Sequence, residues 1–254
     1  MVKLKTKEDI KIMKEGGEVL AKILRRLSQE VQPGITTNHL EKLARELILS
    51  YGVESSFLGF DNYPAVLCTS VNEEIVHGVP SERILNIGDV LKLDMGIYHN
   101  GFHSDSAVTV LVGRVIHNND VRHRYVDKLI RVTKEALEIG IAQAKPGNTT
   151  GDIGAAVQEF VRKNGFEVVH DLVGHGIGEN LHEWPQVPNF GKLGKGDRLE
   201  AGMVIAIEPM VVTGKKRTKM GKDGFAFVTA DKGLAAHFEH TVAITEKGPH
   251  VLTN

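Results

Sequence analysis

Four acidic residues stand where acids are expensive. Asp94 interrupts the run Val90-Leu-Lys-Leu-Asp94-Met-Gly96, Glu208 closes Val204-Ile-Ala-Ile207, and Asp105 and Glu239 open Asp105-Ser-Ala-Val-Thr-Val and Glu239-His-Thr-Val-Ala-Ile. A carboxylate in a buried strand is strongly destabilising unless it is paired or holds a metal. Four converging carboxylates repel one another and require positive charge. The sequence offers no Lys or Arg beside them on the same strand face except Lys92. Two divalent cations would balance the four charges, and carboxylates that bridge ions roughly 3.5–4 Å apart are the usual way to hold such a pair in a hydrolase. Oxygen-rich ligation with one imidazole suits Mn, Fe(II) or Co better than structural zinc. His175 is the imidazole candidate, in Gly174-His-Gly-Ile-Gly178, where nothing bulky blocks its ring. His182-Glu183 follows one strand length later.

The elements that must position these groups are legible too. Val90–Tyr98 and Phe102–Val112 flank Asn100-Gly101, a two-residue hairpin signal because both residues tolerate positive φ. With that turn Asp105 faces Gly96, which leaves space, and Asp94 lies diagonally on the same face, within reach of a shared ion. The chain also repeats itself. Val31–Gly52 aligns without gaps on Ala144–Gly165, with identities at Pro33/Pro146, Gly34/Gly147, Thr36/Thr149, Thr37/Thr150, Glu46/Glu159 and Gly52/Gly165. Each copy predicts a Pro-Gly turn, a Thr N-cap, an amphipathic helix and a C-terminal Gly. A helix precedes each copy, over Thr6–Ser28 and over Tyr125–Ala144, the first with Thr6 and Asp9 as a capping box. With the offset changed by one, Leu85–Gly96 aligns on Leu199–Met210 and sets Asp94 on Glu208; Asp105 falls on Glu239 after about 20 extra residues in the second half. The halves, about 5–115 and 120–250, therefore read as a duplicated α/β unit.

Composition excludes several classes. The 254 residues, 41% hydrophobic and 25% charged, describe an ordinary globular chain with no run of the ~18 apolar residues that a membrane span needs. A formal charge of -1 leaves no global basic field for DNA. The single cysteine, Cys68, rules out an internal disulfide, and the opening Met-Val-Lys-Leu-Lys lacks the apolar stretch of a signal peptide, so a reducing cytoplasmic setting is expected. HExxH, GxSxG, GxxxxGK[ST] and CxxC patterns are all missing.

Five ordered segments, Val71-Asn-Glu-Glu-Ile-Val-His77-Gly-Val-Pro80, Leu93-Asp94-Met-Gly96 with Asp105, Gly174-His175-Gly-Ile-Gly178 with Leu181-His182-Glu183, Ile207-Glu208-Pro209-Met210 and Phe238-Glu239-His240-Thr241-Val242, resemble the methionine aminopeptidases. The resemblance runs from Thr6 to the C-terminus. It implies an α/β (α+β) pita-bread fold, two pseudo-twofold halves with a central antiparallel sheet covered by helices, forming one catalytic domain over 1–254. It implies two divalent ions (Co, Mn or Fe(II), with Zn or Ni as further candidates): Asp94 a bidentate ligand of one, His175 and Glu208 ligands of the other, Asp105 and Glu239 bridges. A metal-bound hydroxide would attack the first peptide carbonyl of a peptide or nascent-chain N-terminus with a small second residue. His182 would contact the carbonyl oxygen, His77 the peptide nitrogen side, and Glu208 would shuttle the proton. The methionine pocket maps to Phe60, Tyr63, Cys68, His77, Leu181 and Phe225. Phe225, Leu181 and Phe60 stand where the family commonly has tryptophan, an aromatic and tyrosine.

Aminopeptidase P, prolidase and non-catalytic binding proteins share this fold. The short stretch before the first helix, Trp184-Pro-Gln-Val187 after Glu183, and Asn72-Glu73 before His77 favour the compact type I methionine enzymes. His99, His103, His117, His123, His170, His237, His240 and His250 read as surface or packing residues, with His103 the least settled because it shares a face with Asp105. The run Lys215-Lys-Arg-Thr-Lys-Met-Gly-Lys222 reads as a solvated hairpin; the sharper alternative is transient contact with ribosomal RNA, since the substrate would be a nascent chain. A monomer is expected.

Overall fold

The structure is a computed structural model that describes residues 2–113 and 121–254; His117 lies outside the described residues. The first half runs α1 (Lys7–Glu30), α2 (Thr37–Tyr51), β1 (Glu54–Ser55), β2 (Cys68–Val71), β3 (Glu74–Val76), β4 (Val90–His99) and β5 (Phe102–Leu111). The second runs α3 (Val121–Gln143), α4 (Thr150–Lys163), β6 (Glu167–Val168), β7 (Gly174–Gly176), β8 (Glu183–Val187), β9 (Val204–Ile207), β10 (Met210–Val212), β11 (Thr218–Met220), β12 (Phe227–Thr229), β13 (Ala235–His237), β14 (Glu239–Thr245) and β15 (Gly248–Val251).

The predicted capping box forms at α1: Asp9 N–H donates to Thr6 Oγ1 and Thr6 N–H to the Asp9 carboxylate. The repeat is structural as well as sequential. Thr36 and Thr149 cap α2 and α4 by accepting from His39 and Asp152 N–H. Gly34 N–H donates to Leu85 O at 2.8 Å and Gly147 N–H to Leu199 O at 2.9 Å, the same tie in both halves. Gly34 and Gly147 share a positive φ, 94° and 92°, which only glycine adopts without strain. The extra residues of the second half contain the β11–β12 hairpin, and the five basic residues of the run at 215–222 are exposed along it.

The nine-stranded sheet is antiparallel throughout, with central order β4-β5-β14-β9 flanked by β1 and β2 on one side and β7 and β8 on the other. The halves meet where β5 pairs β14. One apolar cluster packs α1 and α2 (Leu20, Ile23, Leu40, Ala44) on Leu91, Leu93, Met95 and Ile97 of β4. Its counterpart packs α3 and α4 (Leu129, Val132, Ile153, Val157) on Ile205 and Ile207 of β9 and Val242 and Ile244 of β14. Burying such side chains contributes about 1.5–3 kcal/mol each. This is the expected pita-bread arrangement: helices cover one sheet face, and the other is left for the acids. Among the described residues no helix is long and apolar enough to cross a membrane.

Candidate metal centre

The hairpin forms as the sequence predicts, with Asn100 and Gly101 at φ 47° and 93° and the register Gly96↔Asp105 and Asp94↔Ala107. Two further pairings complete a row across the sheet: Cys68↔Asp94 on one side and Glu239↔Ala107 on the other. Directly opposed residues share a face. Glu208 extends the row, one residue beyond Ile207, whose partner is His240. Asp105, two residues from Ala107, lies on the same face. The small Ala107 side chain leaves the gap between Asp94 and Glu239 open.

Asp94 and Asp105 both lie in the middle of ten-residue strands. One sequence-level expectation needs correction: Gly96 does not clear space for the carboxylates, because a Cβ there would meet Phe57 Cε1 at 2.8 Å and Ser56 Cβ at 2.9 Å. The glycines beside His175 likewise accommodate backbone: a Cβ on Gly174 would lie 2.4 Å from Ala206 O, and one on Gly176 2.3 Å from Trp184 O. They let β7 squeeze between β8 and β9.

Ligand atoms of Asp105, His175 and Glu239 lie within 4.8 Å of one another. His175 Nε2 is 3.7 Å from Glu208 Oε1. His175 Nδ1 lies 2.9 Å from Gly176 O; a carbonyl only accepts, so Nδ1 carries the proton and Nε2 keeps its lone pair for a cation. Buried Oδ1 of Asp94, Oδ1 of Asp105 and Oε1 of Glu239 have no hydrogen-bond partner. Burial, then mutual repulsion, holds the Asp94, Glu208 and Glu239 carboxyls well above the usual range, and burial pushes Asp105 up to about 7. Desolvation lowers His175 to about 3, and lowers His182 as well. Acids that favour protons beside imidazoles that refuse them form a site short of positive charge. Orphaned carboxylate oxygens and an aimed imidazole lone pair fit divalent cations.

These groups floor a cavity of about 530 Å³. Phe60, Tyr63, Cys68, Leu181 and Phe225 form apolar wall, with Tyr63 and Phe225 edge to face at 5.5 Å. His182, just before β8, sets its ring 4.3 Å from that of His175 and 5.1 Å from that of Phe60. His77 lines the same cavity, held at φ 61° where Gly78 lies flat on β2 with its N–H on Ser70 Oγ at 3.0 Å. Non-glycine residues at positive φ cost about 1–3 kcal/mol and cluster at functional sites.

Sequence reasoning missed His237, which it assigned to packing. The residue is fully buried, with Nε2 at 3.7 Å from Glu208 Oε2 and 3.9 Å from Glu239 Oε2, and neither ring nitrogen has a hydrogen-bond partner. His237 ends β13 and Glu239 opens β14 in a different sheet, so the alternation along one strand did not reach it; the only signal was its place two residues before Glu239. His103 bonds Ser56 Oγ at 2.8 Å and is not part of the cavity lining.

Known proteins resemble this chain in sequence and in fold. The sequence profile described as metallopeptidase family M24 matches residues 11–246. A methionine aminopeptidase of Clostridium perfringens is 46% identical over 253 residues, covering 100% of this chain and 99% of its own. Methionine aminopeptidase 1 of Bacillus subtilis is 42% identical with the same coverage. The crystal structure of methionine aminopeptidase from Thermotoga maritima superimposes with a TM-score of 0.94 at 41% identity, covering 100% of both chains. Prolidase from Pyrococcus furiosus superimposes at 0.77 with 25% identity, and the match covers 99% of this chain but 65% of the prolidase. From the sequence match across nearly its whole length and the end-to-end similarity to these relatives, the chain belongs to metallopeptidase family M24.

Proposed function

We propose that this chain removes methionine from the N-terminus of peptides whose second residue is small, acting as one catalytic domain over residues 1–254. The observation that carries this reading is the cavity floor, where the buried carboxylates of Asp94, Asp105 and Glu239, the part-buried Glu208 and an imidazole with a free Nε2 share one face beside an apolar wall. Relatives named methionine aminopeptidase, 41–46% identical over nearly their whole length, support the substrate over an Xaa-Pro peptide.

Asp94, Asp105, His175, Glu208 and Glu239 would hold two divalent ions, of Co, Mn, Fe(II), Zn or Ni. Bound there, the ions supply Lewis acidity toward the scissile carbonyl and the attacking water. The chain's own groups do the rest. Desolvation keeps the His182 imidazole neutral, so its N–H is a hydrogen-bond donor to the carbonyl oxygen rather than a competing cation. His77, also held neutral by desolvation and by His182, faces the peptide nitrogen and assists its departure. The Glu208 carboxylate, ionised while it serves as a ligand and made a better proton acceptor by its burial, would take the water proton and return it to the leaving amine. Phe60, Tyr63, Cys68, Leu181 and Phe225 take the unbranched apolar side chain and exclude water around it.

The free, buried Cys68 fits a reducing cytoplasm, and the exposed lysines and arginine at 215–222 fit transient contact with ribosomal RNA beside a nascent chain, with the enzyme acting as a monomer. The deciding experiment adds Mn, Fe(II) or Co singly to metal-free protein and compares Met-Gly, Met-Leu and Ala-Pro peptides. Methionine release from Met-Gly and not Met-Leu is expected; preferential Ala-Pro cleavage would transfer the chain to the Xaa-Pro class.

A further inference from the structure

The segment before α1 crosses from the first half onto the second. Val2 packs against the apolar cluster of α3 and α4, and Lys5 N–H donates to Gly202 O at 2.7 Å. The Lys5 side chain then turns inward. It is 3% exposed, and its ammonium donates to the Glu183 carboxylate, itself 10% exposed, and to Lys3 O at 3.1 Å. Lysine is rarely buried unless paired, so its partner here is structurally specified.

Glu183 follows His182 directly, and its other oxygen, Oε1, accepts Asn180 N–H at 3.1 Å, closing the turn in which Gly178 N–H bonds Asn180 O at 3.1 Å. Lys5 seats against this turn where no side chain fits: a Cβ on Gly178 would lie 2.2 Å from Lys5 Cε and 2.6 Å from Nζ. On its other side the turn is held by His103 N–H, which donates to Gly178 O at 2.8 Å. The residues from Gly178 to Glu183 are thus clamped between β5 and the crossing segment. His182 projects from that clamped stretch into the cavity.

We propose that Lys5 is a positioning residue for the reaction: through its buried ion pair with Glu183 it fixes the turn at residues 178–183 and so sets the His182 ring against the scissile carbonyl. The inference rests on the role given to His182 above. It makes the crossing segment part of the catalytic apparatus, although Lys5 touches no reacting atom. A clamp of this kind acts on the rate more than on substrate affinity, because His182 acts on charge that develops at the carbonyl oxygen.

The test uses the full chain as Lys5→Met, which keeps the stem and removes the charge, and as Gly178→Ala, which displaces the Lys5 head while leaving both charges. Lys3→Met serves as control, since Lys3 pairs with Glu179 on the surface of the same segment. His182→Ala assigns the His182 signals and measures the role of that residue. Two readouts are taken: steady-state methionine release, and histidine side-chain NMR resonances of the folded metal-free protein. Lys5→Met and Gly178→Ala are expected to lower kcat by about tenfold to a hundredfold. They should change KM by less than about threefold. Both should shift the His182 ring resonances, and Lys3→Met should do neither. The inference is overturned if kcat per folded molecule and the His182 resonances are unchanged in both variants, however much the melting temperature falls. If Lys5→Met fails to fold, Gly178→Ala decides alone. A fully active His182→Ala would instead refute the role of His182 on which the inference depends; an impaired His182→Ala with normal Lys5→Met refutes the positioning alone.

Discussion

The protonation of the acid cluster makes a signed prediction about stability. Asp105 is pushed up to about 7, and Asp94, Glu208 and Glu239 are raised well above their ordinary values by burial and mutual repulsion. In the unfolded chain these groups titrate near 4. A carboxyl that keeps its proton in the folded metal-free chain therefore makes stability fall as pH rises, at about 1.4 kcal/mol per pH unit for each proton retained. Two other sets of groups must be considered. His77, His175, His237 and His240 are all lowered by burial, so their stabilisation is complete above the unfolded histidine value of about 6.5 and they are silent at higher pH. Lys92, fully buried with its ammonium on Asn72 O at 2.9 Å and Val90 O at 3.2 Å, is lowered to about 7 by burial. Its lost proton works the other way, raising stability with pH by at most about 1.4 kcal/mol per unit.

The clean window is about pH 6.8 to 8, above histidine and below free thiols. Metal-free protein should lose stability across it in urea titrations. Its slope divided by 1.4, after addition of the Lys92 contribution measured with Lys92→Met, counts the protons held by the cluster. Metal-loaded protein, whose ligands are ionised in both states, should lose this slope. Loading should also release protons, visible as a buffer-dependent heat in calorimetry. A metal-free stability that stays flat or rises in Lys92→Met over this window, with no proton release on loading, would refute the account of the acids as a proton-holding cluster.

Three further outcomes follow from the same geometry. Glu239→Gln removes a carboxylate that pairs across from Ala107; it should stabilise the metal-free protein at pH 8 in urea titrations yet weaken metal binding, measured by titration, by more than about a hundredfold. Ala107→Val adds methyls to the gap between Asp94 and Glu239; elemental analysis should show lost metal while circular dichroism stays native, at an overpacking cost of about 1–3 kcal/mol. Phe225→Ala removes the edge contact with Tyr63 from the apolar wall; KM for methionine peptides should rise about tenfold, with side chains larger than methionine accepted relatively better in a competition assay.

The residues that local rules govern were legible in the sequence. The Asn100-Gly101 turn fixes a register by itself, and from that register alone Asp94 and Asp105 fall on one face. The duplicated Thr caps and Pro-Gly turns likewise depend only on neighbours a few residues away. What failed depends on distant chain. The space beside Gly96 is filled by Phe57, and nothing near Gly96 in sequence indicates that approach. His237 enters the site because Met210↔His237 pairs β10 with β13 in a second sheet built only of second-half strands, a pairing that no neighbour of His237 in sequence indicates. Lys5 could not be separated from other surface lysines until its partner at Glu183 was located.

The placement of the acids also explains how two halves become one site. The β5–β14 ladder comprises Glu239↔Ala107 and His240↔Ser106, a short backbone seam. Hydroxyls beside the acids reinforce it: Thr241 Oγ1 donates to Asp105 O and accepts Asp105 N–H, Ser106 Oγ donates to Glu239 O, and Thr109 Oγ1 donates to His237 O while accepting His237 N–H. Each of these bonds fixes the backbone of an acid or of the neighbouring imidazole from the opposite half. Apolar packing at the seam would not set those backbones so narrowly, because it is non-directional. Cations held by Asp94 and Asp105 from one half and Glu208 and Glu239 from the other would join the halves a second time, at the point where repulsion most opposes their meeting. The groups that bind metal and the groups that close the fold therefore belong to one construction, and loss of positive charge at its centre weakens both.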